Sequence, residues 1–368
     1  FGVNQIKQIL ATQENGYKCF TSGIKSYFVS QFLVNGEYIF MNDGGFADIK
    51  YYDGKAFYTD HTFCFTTTQI NVKFLYYFLK MNQNLINSIY FQGTGLKNLN
   101  KNKIATFKIP IPPLEIQKEI VLILDAFTEL QAELQAELQA ELQARQKQYE
   151  FYREKLLSIE ALEKRAEGYG VKMMSLGEVG EFVRGNGLQK KDFVEFGVPC
   201  IHYGQIYTYY GTFTHQTKSF VSEAVAKKLK KAQSGNLIIA GVSENKEDVC
   251  KAVVYLGDDE ICISGDSFAF SHSQNPKFVG YFFQSEQFHK QKSKCITGTK
   301  VMRVHIDSLK NFQIPIPPLK VQNEVVEILD KFDALVNDIS QGLPAEITAR
   351  KKQYEHYREK LLSFKEKA

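Results

Sequence analysis

Two blocks of the sequence each occur twice, and this repeat limits the possible folds more than any other feature. Residues 109–125 read IPIPPLEIQKEIVLILD and residues 314–330 read IPIPPLKVQNEVVEILD, with 12 identities in 17 positions. Residues 145–158 (RQKQYEFYREKLLS) and 350–363 (RKKQYEHYREKLLS) share 12 of 14 positions. The offset is 205 residues for both blocks, so neither copy carries a net insertion between them. A repeat of this length indicates that a whole domain and the helix after it are duplicated.

Each copy predicts a stiff, extended joint that leads into a long helix. Adjacent prolines such as Pro112 and Pro113 favour extended backbone before them, and a proline is well placed in the first turn of a helix. The tetrapeptide ELQA then occurs four times in residues 129–144 without a Gly or Pro. All of its residues are good helix formers, which predicts one helix from about residue 113 to 165, roughly 75 Å long. In the second copy, Gly342-Leu343-Pro344 predicts a break in the helix.

The apolar stripe of such a helix needs a partner, and the second copy of the helix is the obvious one. Two equivalent units in one chain most readily close about a two-fold axis. We therefore predict that the two long helices pair antiparallel and separate two homologous globular domains with pseudo-two-fold symmetry. The prediction divides the chain into a first domain (1–108), a joint and spacer helix (109–165), a second domain (166–313), and a second joint and spacer helix (314–368).

Between the repeated blocks the two domains diverge in length. GYKCFTSG at 16–23 aligns with GVPCIHYG at 197–204, and the offset grows from 181 there to 205, so the second domain has about 24 extra residues. Most of them lie within 205–264. In this alignment Phe1 matches Phe182, so the first copy lacks a counterpart of LGEVGE at 176–181. We expect that residues before Phe1 are missing or that another part of the chain completes this edge.

Within the domains the patterns predict short strands followed by a helix, that is, an α+β fold. Residues 37–40 and 50–52 are strand-like, with a turn at 42–45 between them. Residues 73–89 predict one aromatic-rich helix, matched by residues 277–289 in the second domain.

Composition sets broad limits. The net charge of +4 permits an anionic partner without requiring one. Six cysteines without a CxxC pair indicate a reduced, cytoplasmic protein. The sequence contains no long apolar run and no signal peptide, so we expect no membrane partner. The seven histidines form no HxxxH or HExxH spacing, and no GxxxxGK[ST] loop is present. These patterns predict no metal, no cofactor and no catalytic site. Asp60 and Asp266 are only weak acid candidates, because surface turns commonly carry aspartate.

The domains separated by repeated helices, the IPIPPLxxQ joint, the ARxKQYExYREKLL block and the tandem tetrapeptide resemble the specificity subunit of type I restriction–modification systems. The resemblance covers essentially the whole chain. It implies two target recognition domains, each of which reads half of a split double-stranded DNA sequence, with helices that set the unread spacer. It further implies binding of two modification (adenine methyltransferase) subunits and of restriction subunits in the larger complex, with no catalysis by this chain.

DNA contact requires Lys or Arg on phosphates and polar side chains on base edges. In each domain the loop residues of these types form the candidate interface. Any one of them is equally well interpreted as an exposed polar residue that contacts no DNA. In the first domain they are Thr21, Ser22, Lys25, Asn42, Asp43, Lys97, Asn98 and Lys101. In the second they are His202, Tyr203, Gln205, Tyr207, Tyr209, Lys218, Ser243, Asn245, Lys246, Thr299, Lys300 and Arg303. The lysine run at 227–231 predicts a solvated helix face or phosphate contacts.

The repeated helix block supplies candidate partner-binding residues: Tyr149, Tyr152 and Arg153, with their copies Tyr354, Tyr357 and Arg358. They either present the same patch to two copies of one partner or pack the helix pair. Two alternatives to the specificity subunit remain open. One is a coiled-coil scaffold whose domains bind proteins, and the other is a DNA-acting enzyme with an unrecognised site. Strongly salt-dependent DNA binding argues against the first, and methylation or cleavage by the chain alone favours the second.

Overall fold

The computed structural model describes residues 16–23, 27–95, 97–337 and 342–364, which fall into two compact units. Unit 1 comprises residues up to 137 together with those from 347 onward, and unit 2 comprises residues 138–346. Each unit therefore contains one globular domain, the start of the helix that follows it, and the end of the other helix. The expectation about Phe1 and the candidate Lys25 lie outside the described residues.

Unit 1 is built on a five-stranded sheet in the order β2-β1-β4-β3-β5. The strands are β1 (Tyr17–Phe20), β2 (Tyr27–Val29), β3 (Val34–Asn42), β4 (Ile49–Tyr58) and β5 (Thr62–Phe65). Only β1 and β4 run parallel among these strands. Because side chains alternate along a strand, Ile39 and Met41 pack under the helices while Phe40 stacks on Phe20 on the other face. The strands predicted at 37–40 and 50–52 are confirmed.

The helix predicted at 73–89 is instead two helices, α1 (Val72–Met81) and α2 (Gln83–Tyr90), so that prediction was wrong. The side chain of Asn82 at the junction donates to the Phe78 carbonyl at 2.9 Å, a local bond that competes with continued helix. The short strands β6 (Phe91–Gln92) and β7 (Asn98–Leu99) and helix α3 (Lys101–Ile104) follow.

The long helix α4 (Leu114–Leu156) is also shorter than predicted, because a second helix, α5 (Ile159–Arg165), replaces its last turns. The hydroxyl of Ser158 accepts a hydrogen bond from the amide of Ala161 at 3.3 Å, so Ser158 starts α5 as an N-cap. The single helix to residue 165 was therefore wrong.

Unit 2 has two five-stranded sheets, in the orders β10-β13-β11-β18-β14 and β12-β17-β15-β19-β9. The first comprises β10 (Phe193–Val194), β11 (Val198–Ile201), β13 (Ser219–Val221), β14 (Lys231–Ala232) and β18 (Ile261–Ile263). The second comprises β9 (Gly180–Arg184), β12 (Phe213–Thr214), β15 (Leu237–Ala240), β17 (Ala252–Tyr255) and β19 (Ser267–His272). Two-stranded pairs join β8 (Lys172–Ser175) to β21 (Gln313–Ile316), and β16 (Val242–Ser243) to β20 (Met302–Arg303). The segment 205–264, in which most of the extra residues lie, contains strands β12 to β18.

The helices of unit 2 are mostly short. They are α6 (Leu176–Val179), α7 (Tyr203–Thr208), α8 (Glu223–Ala226), α9 (Pro276–Phe282), α10 (Glu286–Ser293), α11 (Ile306–Lys310) and α12 (Leu319–Asn337), with a 3₁₀ turn at Lys190–Asp192. The predicted helix at 277–289 divides into α9 and α10 because Ser285 caps α10 through the amide of Phe288 at 3.2 Å. The last helix, α13 (Leu343–Leu362), begins at Leu343. The predicted break at Gly342-Leu343-Pro344 is confirmed. No helix in the described ranges is long and apolar enough to cross a bilayer.

In each unit the two helix segments pair antiparallel through equivalent residues. In unit 1 the Thr128 hydroxyl lies 2.9 Å from that of Tyr354, and the ring of Phe127 stacks on Tyr357 at 5.9 Å. In unit 2, at the constant offset of 205 residues, Tyr149 donates to Asp333 at 3.5 Å and Tyr152 stacks on Phe332 at 5.2 Å. The antiparallel pairing predicted from the repeat is therefore confirmed within each unit.

Each globular domain is fixed to its helix by the same charged anchor. In unit 1, Asp125 accepts from Lys73 Nζ at 2.6 Å and from the Tyr77 hydroxyl at 2.5 Å. In unit 2, Asp330 accepts from Lys277 Nζ at 2.7 Å and from the Tyr281 hydroxyl at 2.6 Å.

The glutamine of the IPIPPLxxQ joint forms a second repeated contact. Gln117 accepts from the amide of Asn71 at 2.8 Å and donates to the Pro112 carbonyl at 2.7 Å. Gln322 accepts from the amide of Asn275 at 2.9 Å and donates to the Pro317 carbonyl at 2.8 Å. Each glutamine accepts a hydrogen bond from a backbone amide at the start of the domain's helix, so it fixes the joint to the domain.

Candidate nucleic-acid interface

In unit 1 the predicted DNA-binding residues come together on three neighbouring loops. The Asn42 amide donates to the Ser22 carbonyl at 2.9 Å, which ties the loop at Thr21–Gly23 to the turn after β3. The Asp43 carbonyl accepts from the Leu99 amide at 2.8 Å, and the Gly45 amide donates to the Lys97 carbonyl at 2.7 Å. These bonds place Thr21, Ser22, Asn42, Asp43, Lys97 and Asn98 around one edge of the domain.

The side chains in this group differ in what they can offer a ligand. Asn42 is only 3% exposed, so its bond to Ser22 shapes the loop. The Asp43 carboxylate lies 3.3 Å from Lys101 Nζ and 3.8 Å from the His61 ring. These residues line an open depression of about 470 Å³ together with Asn98 and Asn100. Lys97, Asn98 and Lys101 are exposed beside it and can reach a bound polyanion.

In unit 2, His202 and Gln205 build the start of helix α7. His202 Nδ1 accepts from the Gly204 amide at 3.2 Å, and Gln205 accepts from the His202 amide at 3.0 Å. Gln205 also donates to the Ser219 hydroxyl at 2.7 Å. Burial, and then the positive charge of Lys190, lower the pKa of His202, so the ring is neutral at pH 7. These two residues therefore position α7 and its first residue, Tyr203.

Tyr203 lines one of two adjacent depressions that share Arg184 and Asp266. The first, of about 290 Å³, also includes Gln189 and Ser264. The second, of about 190 Å³, includes Arg303 and His305 on its far side. Arg184 Nη2 lies 3.8 Å from Asp266 Oδ1, and Arg184 Nε donates to the Gly265 carbonyl at 3.0 Å. The structure thus brings the predicted residues Tyr203 and Arg303 to the rim of one composite surface.

The other predicted loops of unit 2 adjoin or leave this surface. Ser243 is paired with Met302 next to Arg303, and Asn245 closes a turn by donating to Asp248 at 2.8 Å. Lys246, Thr299 and Lys300 are exposed, the last two in the hairpin closed by Thr297 and Arg303.

Residues 209–218 of the second domain lie beside a depression that is lined by carboxylates. Lys218 Nζ sits 4.4 Å from the Tyr209 ring centroid, a cation–π contact, and Tyr207 is half-buried in the core. The adjoining segment His215–Thr217 lines a depression of about 390 Å³ together with Asp258 and Asp259. Two carboxylates make this depression a poor phosphate site, so the depression itself is not part of the candidate interface.

Arg184, Gln189 and Lys190 were missed by the sequence-based prediction. Their signal was the segment RGNGLQKK, in which a Gly-rich loop follows a strand and leads into lysines. Asn186 in this loop donates to the Lys228 carbonyl at 2.9 Å and accepts from the Lys230 amide at 2.6 Å. The lysine run at 227–231 is therefore a turn and strand start beside the loop, not the helix face that was predicted.

Asn98 and Arg303 occupy equivalent positions in the two units. Asn98 bridges to Gly44 in the turn after β3, and Arg303 pairs with Val242 in β16, just after β15. The two residues are separated by the repeat offset of 205. Both domains thus use the same hairpin to present a polar side chain.

Of the helix residues predicted to bind a partner, the four tyrosines contact the opposite helix, whereas each arginine lies over a tyrosine of its own helix. Tyr149 is 5% exposed, and Arg153 lies over its ring at 5.4 Å. Arg358 lies over Tyr354 at 5.6 Å in the same way. Tyr357, in contrast, is 43% exposed and keeps surface for a further contact.

The family model for the type I restriction modification DNA specificity domain matches residues 6–144 and 169–349, that is, both copies of the duplicated unit. The chain belongs to this family. The predicted resemblance and the α+β fold with two homologous domains are therefore confirmed, and so is its identity as a DNA specificity subunit.

Relatives agree with this assignment, and solved structures share the fold. The chain is 32% identical over 352 residues to a putative type I restriction enzyme specificity subunit of Haemophilus influenzae, which covers 92% of this chain and 85% of that one. It is 33% identical over 309 residues to the EcoR124I/EcoR124II specificity subunit of Escherichia coli, and the match covers 80% of this chain and 71% of that one. A solved chain from a study of complex assembly and conformational transition in the type I system has a TM-score of 0.66 at 15% identity. The match covers 97% of this chain and 96% of that one. The subunit from Thermoanaerobacter tengcongensis has a TM-score of 0.51 at 15% identity, covering 97% and 94%.

Proposed function

We propose that this specificity subunit reads a bipartite double-stranded DNA target, with one half-site for each globular domain and the helices setting the spacer. The observation that carries the proposal is the duplication of the anchors. Asp125 and Asp330, like Gln117 and Gln322, fix each domain to its helix through the same bonds. A domain held rigidly on a helix of defined length reads its half-site at a defined distance from the other.

The DNA-contacting residues of this proposal are the exposed members of the two candidate interfaces. In the first domain they are Ser22, Lys97, Asn98 and Lys101, together with the half-buried Thr21, and Asn42 and Asp43 support the loops. In the second they are Tyr209, Lys218, Asn245, Lys246, Thr299, Lys300 and Arg303, together with the half-buried Tyr203, and His202, Gln205, Tyr207 and Ser243 support them. Lysines and arginines would neutralise phosphates, while the amides and hydroxyls would read base edges.

The subunit would act without catalysis of its own, in the cytoplasm, within a complex containing two modification subunits and, in its larger form, restriction subunits. The matched relatives are named specificity subunits, which supports this division of labour. The duplicated helix block offers Tyr152 and Arg153 in one copy and Tyr357 and Arg358 in the other, so two copies of one partner would find equivalent contacts. Tyr149 and Tyr354 would act by holding the helix pair beneath them.

Two measurements on the complex with its modification subunits test the proposal. Methylated adenines mapped across the genome should define one split motif with a gap of constant length. Binding to a duplex carrying that motif should weaken steeply between 50 and 200 mM salt, by about 10³-fold for six phosphate contacts. Salt-insensitive association with proteins and no DNA motif would instead support the protein-binding scaffold. Methylation or cleavage by the purified chain alone would contradict the non-catalytic assignment.

A further inference from the structure

Arg184 is the last residue of strand β9 and stands at the rim shared by the two depressions of unit 2. Its side chain is 66% exposed, yet two contacts restrain it. Nε donates to the Gly265 carbonyl at 3.0 Å, and Nη2 lies 3.8 Å from the Asp266 carboxylate. The guanidinium is therefore oriented before any ligand binds.

This arrangement leaves a defined part of the guanidinium available. The group has five N–H donors in one plane, and the bond from Nε fixes that plane. The donors on Nη1 and Nη2 are not used by Gly265 and form a planar fork, which matches two acceptors side by side. Guanine presents such a pair, O6 and N7, in the major groove, and restraint in advance reduces the entropy lost on binding.

The surroundings of Arg184 suit a side chain that enters the major groove of a DNA duplex. Asn186 ties the adjoining loop to the turn that carries the exposed residues Lys228 and Lys230. Arg303 lines the smaller depression together with Arg184. These cations are available to neutralise phosphates near Arg184, and an arginine so placed suits a base reader.

We propose that Arg184, oriented by Asp266 and the Gly265 carbonyl, reads a guanine in the half-site of the second domain. The proposal rests on the bipartite recognition proposed above and adds a specific base and residue to it. The first domain provides an internal reference. In the alignment of the copies Arg184 corresponds to Val3, which cannot donate a hydrogen bond from its side chain.

The test uses the complex with its modification subunits and compares base preference at every position of both half-sites. The variants are Arg184→Ala, Arg184→Lys and Asp266→Asn. Lys290→Ala is the matched control, because it also removes a cation paired with a carboxylate in unit 2, at 3.0 Å from Glu286, on a helix outside the interface. Genomic methylation maps give the motif, and binding to duplexes with each substitution gives the discrimination.

We expect the wild-type complex to require one G·C pair in the second half-site by about 5- to 150-fold over other pairs, the range of a good bidentate contact. Arg184→Ala should lose this requirement, and Arg184→Lys should weaken it clearly, because the lysine ammonium lacks the rigid planar fork of the guanidinium. Asp266→Asn should weaken it several-fold. The first half-site, the gap and the Lys290→Ala motif should stay unchanged. Arg184→Lys retains the charge and most of the chain, so it tests the proposal even where the alanine variant fails to assemble.

Three results would overturn the proposal. One is a second half-site whose letters are unchanged in both Arg184 variants. Another is a uniform loss of affinity for all sequences with a salt slope reduced by about one, which identifies a phosphate contact. The third is a half-site without a required G·C pair. A wild-type complex that methylates no split motif would refute the bipartite function itself, a different result from a split motif that is insensitive to Arg184.

Discussion

Replacing Asp330 by alanine should destabilise unit 2 far more than removing a carboxylate one turn away on the same helix. Asp330 accepts from the Tyr281 hydroxyl at 2.6 Å and from Lys277 Nζ at 2.7 Å. Tyr281 is fully buried, so in Asp330→Ala its hydroxyl would have no acceptor there. Burial, together with the bond to Asp330, raises the pKa of Tyr281, so the hydroxyl stays a donor at every pH of interest.

The magnitude follows from these two contacts. A hydrogen bond to a charged acceptor contributes about 1.5–3 kcal/mol, and this range applies to the buried Tyr281 bond. The Lys277–Asp330 pair is 22% and 31% exposed, so screening limits its share to about 0.5–1 kcal/mol. We therefore expect a loss of about 2–4 kcal/mol in the free energy of unfolding of unit 2.

Urea unfolding of the full chain, followed by circular dichroism, measures this loss. Glu327→Ala is the matched control, because its ion pair with Lys331 at 2.9 Å is 73% exposed on both sides and should contribute no more than about 0.5 kcal/mol. Asp125→Ala in unit 1 should show a similar but smaller loss, since its partner Tyr77 is less completely buried. A loss in Asp330→Ala no larger than that in Glu327→Ala would show that Asp330 does not anchor the domain in this way.

Three further variants test other contacts. Gln322→Ala leaves the Asn275 amide without its acceptor and should cost about 1–3 kcal/mol in the same urea assay, whereas an unchanged midpoint would contradict this. Burial raises the pKa of Asp333 above its ordinary value of 3.8, so folding favours the protonated carboxyl group. The stability gained from this protonation is complete below pH 3.8 and is lost as pH rises through the pKa of the folded state. Asp333→Asn should therefore raise Tm at pH 7 but not near pH 3.5, and an equal change at both would refute the linkage. Lys292→Met removes a buried ammonium that donates to the Glu247 carbonyl at 2.8 Å, so hydrogen exchange at 245–250 should accelerate, and unchanged exchange would exclude this role.

The repeat predicted most of the architecture because it constrains topology independently of local detail. A constant offset between two helical blocks requires equivalent contacts, and the pairing of Phe127 with Tyr357 and of Phe332 with Tyr152 follows it. The role of the joint glutamine was not predictable, since its partner Asn71 lies 46 residues away in the chain.

Helix ends and the interface were predicted less well. Ser158 and Ser285 end long helical patterns through single capping bonds, which are weak signals inside strongly periodic sequence. Whether Tyr149 packs or is exposed depends on the helix opposite it, so residue type alone left both outcomes open. Arg184 was overlooked because the tyrosine-rich segment at 202–218 is the more conspicuous polar segment. The significance of Arg184 also depends on Asp266, which lies 82 positions further along the chain.

Changing the number of ELQA units tests whether the length of the helices sets the unread spacer. One unit is four residues, about 6 Å of helix, and corresponds to just under two base pairs at roughly 3.4 Å each. Methylation maps of variants with three and five units, in complex with the modification subunits, should show the same two half-sites with a shorter and a longer gap. Altered half-site letters with an unchanged gap would contradict the account.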